Sequence, residues 1–432
     1  MSRIAFSGVT ICSLVAALAL RLTGASLPAA QRMVVVISLD GFPAYALEDP
    51  KLPVPNLRQL MRTGASASRM HPVNPTVTWP NHTTMVTGVL PPEHGLIYNG
   101  TAVRTGAWPP VALDFSIEKQ KMVHAVTVYD LAHQAGLTTA QMDWVAINNA
   151  PTITWEFPER ATSNDPLVRE MIGHGLLTAS DVDQPPKAII LWRDQLWTQA
   201  AEYVIREHKP NLLLLHLLTL DTTQHAYCPK TLAATDGIAF LDGCVGRVLN
   251  AIQAAGLESR TTVIVVSDHG FKSFHKQIRP ALALAAAGLD KRVFVIPEGG
   301  SAMVYLDKPA TEELIPQVRQ LFAGAEGIAR IAGRTDFAEL GLPDPAKDSQ
   351  APDLVLYAKD DYAFGNSPEG GAHGYINTDP DMDAIFIASG YNIRHASLGA
   401  IKNLEVAPIL AALLEVHLPH ATSAAPKDLF LQ

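Results

Sequence analysis

Cysteine is scarce in this 432-residue chain, with Cys12, Cys228 and Cys244 its only three. So few thiols, none at short spacing from another, exclude a disulfide-dense scaffold and a thiolate zinc site. Long apolar stretches are equally rare. One runs from Ile4 to Leu20, broken only by small and hydroxyl residues, and no later stretch approaches the roughly 17 residues that a bilayer requires. The run over 212–218 is short and interrupted by His216, which suits a buried strand. Dense basic tracts are missing too: 33 Lys and Arg stand against 42 Asp and Glu, for a formal net charge of −9. That balance argues against binding a nucleic-acid duplex and against a polybasic membrane contact. Internal repeats and low-complexity linkers are also absent, so any additions to the core share it rather than forming a separate array.

What is present begins with a leader. Arg3, the apolar stretch, and small residues at Gly24-Ala25-Ser26 and Ala29-Ala30 have the layout of a signal peptide over 1–26. Export to a periplasm or outside the cell follows, with no span in the mature chain; a retained N-terminal anchor is the alternative. Cysteine usage agrees with export. Cys12 falls in the leader, and Cys228 and Cys244 remain as an even pair able to close one disulfide, two buried free thiols being the other reading.

With 48% hydrophobic residues, the chain can bury a large core. Apolar β-branched runs over 33–39, 212–218, 261–267 and 384–388 read as buried strands. Helical periodicity marks 55–63, 82–87, 127–135, 191–207, 234–255 and 405–414. Such alternation predicts an α/β sandwich with a mainly parallel sheet, whose ligands bind beyond the carboxyl ends of the strands. Two stretches look like insertions into one unit over 33–430. The first, about 100–186, is rich in Trp, Pro, Asn and Asp. The second, about 272–368, carries helices over 280–287 and 311–324 and strands over 292–296 and 302–306, the pattern of a small α+β subdomain.

Chemistry-bearing residues collect at the predicted strand ends. Asp40 and Gly41 follow the first strand, and Asp268-His269-Gly270 follows the third. Either alone reads as a turn, but two buried carboxylates at neighbouring strand ends need a cation or donors to remain charged. Asp221 and His225 are four apart, one helical turn, and so share a face. His373 lies between Gly371-Ala372 and Gly374, where little bulk blocks a metal. Thr78, in Thr76-Val77-Thr78-Trp79-Pro80-Asn81-His82, stands just before a predicted helix, whose N-terminal amides favour a phosphoryl group. A threonine hydroxyl is a weak nucleophile unless a metal activates it. Asn99, in Tyr98-Asn99-Gly100, is a turn residue by default and a candidate oxyanion donor. His82, His94 and His216 read as packing or hydrogen-bonding residues.

Together these segments resemble the nucleotide pyrophosphatase/phosphodiesterase family of the alkaline phosphatase superfamily, in the family's order from about Met33 onward. The resemblance implies a three-layer α/β/α sandwich and two Zn2+ ions. Asp221, His225 and His373 then match the ligands of one zinc, and Asp40, Asp268 and His269 those of the other. Thr78 matches the nucleophile beside that second zinc and a contributor to its coordination. Asn99 matches the amide on a non-bridging phosphoryl oxygen, and Trp79 an aromatic beside the nucleobase. The implied reaction is hydrolysis of a small-molecule phosphodiester or nucleotide through a phosphoryl-threonine intermediate. Phosphonoacetate hydrolysis is the nearest enzymatic alternative, and a secreted protein with structural zinc the non-enzymatic one. A sulfatase would need a Cys-x-Pro-x-Arg segment, which is missing. Where many family members carry Trp-Pro-Gly-Ser, this chain has Met142-Asp143-Trp144-Val145, so the substrate contacts do not transfer.

Overall fold

The computed structural model describes residues 26–183, 190–308 and 311–431. Apart from Ser26, the expected leader lies outside them. The centre is an eight-stranded sheet. Strands Trp155–Phe157, Thr139–Met142, Leu212–Leu217, Met33–Leu39 and Thr261–Val266 run parallel in that spatial order. Strand Phe386–Gly390 then pairs antiparallel with Thr261–Val266, and Ala65–Ser66 and Ala396–Ser397 complete the edge.

Side-chain alternation along these strands makes the three layers. Val35, Ile37, Leu213, Leu215, Val263 and Val265 face helices Pro55–Thr63, Ile190–Glu207 and Leu232–Ala254. Val34, Val36, Leu212, Leu214 and Ile264 face helices Thr78–Thr87, Val128–Gln134 and Val406–Leu414. Both faces are covered, which is why the central strands read as continuous apolar runs.

Strands Val293–Glu298, Ser301–Leu306, Leu354–Ala358 and Ile328–Gly333 form a separate antiparallel sheet. One of its faces packs on helices Pro280–Ala286 and Thr311–Ala323. The other meets Ile97, Tyr98 and the hairpin of Thr101–Arg104 with Val111–Asp114. The cysteines correct an expectation, since Cys228 and Cys244 are both free. Cys228 ends helix Thr219–Tyr227, whereas Cys244 is buried about 12 residues into helix Leu232–Ala254. At 1.5 Å per residue that is roughly 18 Å along the axis, against a Cα separation limit near 7 Å for a bridge. Among the described residues, no helix is long and apolar enough to cross a membrane.

Candidate active site

Four segments leave the scaffold at one end and converge. Strand Met33–Leu39 delivers Asp40, and Gly41 turns the chain with φ +69°. A Cβ at Gly41 would meet Phe271 at 3.1 Å and the Asp221 backbone at 3.3 Å, so glycine allows both the turn and the close approach. In the neighbouring parallel register, strand Thr261–Val266 delivers Asp268 and His269. Strand Leu212–Leu217 leads into helix Thr219–Tyr227, which carries Asp221 and His225. Strand Gly370–Ala372 brings His373. Gly371 serves packing there: a Cβ would fall 2.2 Å from the Gln224 carbonyl on the helix that bears His225.

Ligand-type atoms of Asp221, His225 and His373 lie within 4.8 Å of one another, as do those of Asp40, Asp221 and His269. The groups adjoin through Asp221. Asp268 joins the second group, its Oδ2 3.2 Å from His269 Nε2, which is itself 3.5 Å from Asp40 Oδ1. One division runs through the whole set, between atoms tied to the protein and atoms left free. Nδ1 of His225, His269 and His373 faces the carbonyls of Gly371, Gly270 and Thr76 at 3.1, 3.0 and 3.0 Å. With each Nδ1 on a carbonyl, Nε2 is the nitrogen turned to the centre, the usual orientation of a ligating imidazole. Asp268 Oδ1 accepts from the Gly41 amide at 3.2 Å, and Asp40 Oδ2 from His216 Nε2 at 2.9 Å. Asp40 Oδ1, Asp268 Oδ2, Asp221 Oδ1 and His269 Nε2 are buried with no hydrogen-bond partner. Buried acceptors without donors are costly, and a divalent cation on each group would satisfy them together.

Electrostatics agree. Burial, then repulsion from Asp268 and Asp221, pushes Asp40 well above the usual carboxylate range despite His216. Burial also opposes charge on Asp268, but His269, His82, His216 and the Gly41 amide outweigh it and hold that carboxyl below its ordinary value. Burial, followed by the neighbouring His269 and His225 rings, drives His373 toward its neutral form. Three carboxylates crowd this space, and among the described residues no lysine or arginine forms an ion pair with any of them.

Helix Thr78–Thr87 starts one turn earlier than its periodicity predicts, so Thr78 is its first residue. Pro80 permits this, because a first-turn residue needs no intrahelical amide bond. Hydroxyls nearby are occupied: Thr76 donates to the Tyr375 carbonyl, Thr83 to Trp79 and Thr87 to Thr83. Thr78 instead lines a cavity of about 1010 Å³. Asn99 lines it too, its Oδ1 accepting from the Trp79 amide at 2.9 Å. That contact leaves the Asn99 Nδ2 as the donating end beside Thr78.

Trp79, Phe115 and Trp144 supply aromatic walls to the cavity, with Trp79 and Phe115 edge to face at 6.1 Å. Its carboxylates are Asp114, Asp143, Glu156, Glu159 and Asp165, against Arg160 as the one arginine or lysine. His82, His94 and His216 are buried in hydrogen bonds, as read from the sequence. Sequence reasoning nevertheless missed that His216 bonds directly to Asp40, and that Asp143 stands behind it. The available signal was a lone histidine inside the otherwise all-leucine strand Leu212–Leu217.

Comparison with known proteins agrees with this arrangement. The profile of the family described as type I phosphodiesterase / nucleotide pyrophosphatase matches residues 34–377. A venom phosphodiesterase of Macrovipera lebetinus is 23% identical over 411 residues, covering 89% of this chain and 43% of its own. Human ectonucleotide pyrophosphatase/phosphodiesterase family member 1 is 24% identical over 416 residues, covering 88% and 40%. The chain thus spans less than half the length of these curated relatives. Murine ectonucleotide pyrophosphatase/phosphodiesterase 5 superposes with a TM-score of 0.74 at 19% identity, over 92% of this chain and all of that one. An inactive threonine-to-alanine variant of that murine protein, in complex with AMP, superposes with a TM-score of 0.71. These likenesses establish the three-layer α/β/α fold.

Proposed function

Since this chain belongs to the type I phosphodiesterase / nucleotide pyrophosphatase family, we propose that it hydrolyses a phosphodiester or pyrophosphate bond with Thr78 as nucleophile and two zinc ions as cofactors. The observation that carries the reading is the set of buried, partnerless Asp and His atoms one histidine away from a threonine that lines a cavity: His82 Nδ1 lies 2.9 Å from the Thr78 carbonyl and 3.7 Å from Asp268 Oδ2. Mixed imidazole and carboxylate donors suit zinc, and three protein ligands on each ion leave positions open for chemistry. Asp221, His225 and His373 would hold one ion, and Asp40, Asp268 and His269, with Thr78 beside them, the other. Bound there, zinc supplies Lewis-acid stabilisation of charge on the attacking and departing oxygens.

The chain's own residues do the rest. Thr78 Oγ forms the new bond to phosphorus as the bond to the leaving oxygen breaks in line, giving a phosphoryl-threonine. Water then cleaves the threonine ester and frees the hydroxyl. Asn99 Nδ2 donates to a non-bridging oxygen, while its Oδ1 holds the Trp79 amide in register. The amides at the start of helix Thr78–Thr87 add partial positive charge next to the phosphoryl group. Even with Asp143 set against His216, the cavity's carboxylates outnumber Arg160, which makes it hostile to a dianionic monoester and better suited to a singly charged diester. We further assign residues 33–430 to one catalytic unit, with the antiparallel sheet that includes Val293–Glu298 as an insertion, and export to the preceding leader. The deciding measurement compares an aryl phosphodiester with the matching monoester, on enzyme stripped of metal and reloaded with zinc. Diester turnover should vanish on stripping and return on reloading. A strong monoester preference, or activity indifferent to metal, would sink the proposal.

A further inference from the structure

His216 has no part in the reaction as written, yet it is 1% exposed and sits between two carboxylates. It pairs with Ser38 across the parallel register, one strand over from Asp40. Its Nε2 lies 2.9 Å from Asp40 Oδ2, and its Nδ1 lies 3.1 Å from the Asp143 carbonyl and 3.2 Å from Asp143 Oδ2. The ring is thus held from both sides, with Nδ1 on the Asp143 carbonyl and Nε2 directed at Asp40 Oδ2. Asp143 reaches the ring because the chain leaves strand Thr139–Met142 in a left-handed turn, with φ +58° at Asp143. The Asp143 amide is anchored to the Phe157 carbonyl at 2.9 Å.

We infer that His216, backed by Asp143, is a positioning residue that sets which oxygen of Asp40 meets the metal. A free carboxylate rotates about its last bond and presents either oxygen. With Oδ2 bonded to His216, Oδ1 is the oxygen turned toward His269 Nε2, and it is the one left without a partner. Ligand carboxylates are ordinarily hydrogen-bonded from outside, and such contacts fix orientation and raise metal affinity. The inference rests on Asp40 being a metal ligand, as proposed above.

The test uses metal-stripped full chain titrated with zinc against a chromophoric chelator, with cobalt(II) absorption as a second readout. Variants are His216→Phe, His216→Gln and Asp143→Asn. Wild type should take up two equivalents. His216→Phe keeps a ring but no donors, and should weaken one equivalent by about 10- to 100-fold and alter the cobalt spectrum. His216→Gln retains a donor and should recover part of that loss. Asp143→Asn, the variant that disturbs the core least, should show a smaller change in the same direction, with kcat reduced more than KM. Tight binding of both equivalents by His216→Phe, with an unchanged cobalt spectrum and only a lower melting temperature, would overturn the inference and leave His216 a packing residue. Wild type binding fewer than two equivalents would instead overturn the two-metal reading itself.

Discussion

One group of candidate ligands is set into the sheet, and the other hangs from a helix and a loop. Asp40, Asp268 and His269 follow directly on adjacent parallel strands and are 0% exposed. Asp221 and His225 ride on helix Thr219–Tyr227, where the His225 side chain is 45% exposed. Backbone carbonyls orient the imidazoles in both groups, but the side chains around them differ: the sheet-borne group is backed by the polar His216, Asp143 and His82, whereas Phe271 packs on His225 and His373. A group locked by sheet register and burial can tune and retain its ion; one near solvent can exchange ion, water and product. The difference teaches that a single bimetallic centre need not have uniform affinity.

The largest effect should come from the residue proposed as nucleophile. Thr78→Ala removes the proposed attacking oxygen and should cut diester turnover on the order of 10³-fold or more, as loss of a nucleophile does. Zinc content should stay at the wild-type level, because every Asp and His donor remains. Near-normal turnover would assign the nucleophile elsewhere.

Comparing Asp268→Asn with His225→Ala probes the contrast directly. Loss of the buried ligand should abolish tight binding of one zinc and lower turnover by at least about 100-fold, beyond rescue by added metal. Loss of His225 should cost less and be largely restored by millimolar zinc. Asp268→Asn has a second signature, since its thermal stabilisation by zinc should be mostly lost. Equal damage and equal rescue for the two variants would erase the distinction.

A chelator time course extends the same contrast without mutation. Zinc should leave in two phases, with the more exposed Asp221, His225 and His373 group emptying first. Activity should follow the first phase and return when one equivalent is restored. Simultaneous release of both ions would show that the shared Asp221 couples the groups too tightly for exposure to matter.

Legibility in the sequence divides along physical lines. Strands over 33–39, 212–218 and 261–267 were readable because a sheet covered on both faces demands unbroken apolar runs, and the structure has them at Met33–Leu39, Leu212–Leu217 and Thr261–Val266. Acid and imidazole at the ends of those runs could be read with them. Short strands such as Thr139–Met142 and Trp155–Phe157 left no periodic trace, since three or four residues cannot establish one. The helix expected over 82–87 starts a turn earlier, at Thr78, where the Trp79 amide is capped by the Asn99 side chain 20 residues away, a partner that local periodicity does not reveal. His216 was the hardest to interpret. Its partner Asp40 comes from another strand and Asp143 from a third, so only the assembled register reveals what the ring does.

The smallest expected effect lies in the cavity. Trp79 is 9% exposed, packs edge to face with Phe115 and carries the amide that Asn99 holds. Its indole is thus a wall of the cavity, while its backbone adjoins the proposed phosphoryl site. Trp79→Ala deletes the wall and spares the amide. If the retained part of the substrate stacks there, the loss is about 1–3 kcal/mol, as for other base-on-aromatic contacts. Because stacking is made equally in ground and transition states, KM should rise by roughly tenfold with kcat nearly unchanged. A fall in kcat with KM intact would mean that the indole also holds helix Thr78–Thr87 in place, and that the phosphoryl site and the cavity are mechanically one unit. An unchanged KM for every diester tried would mean that substrates bind along the carboxylate-rich side of the cavity, past Glu156 and Glu159, rather than against its aromatic face.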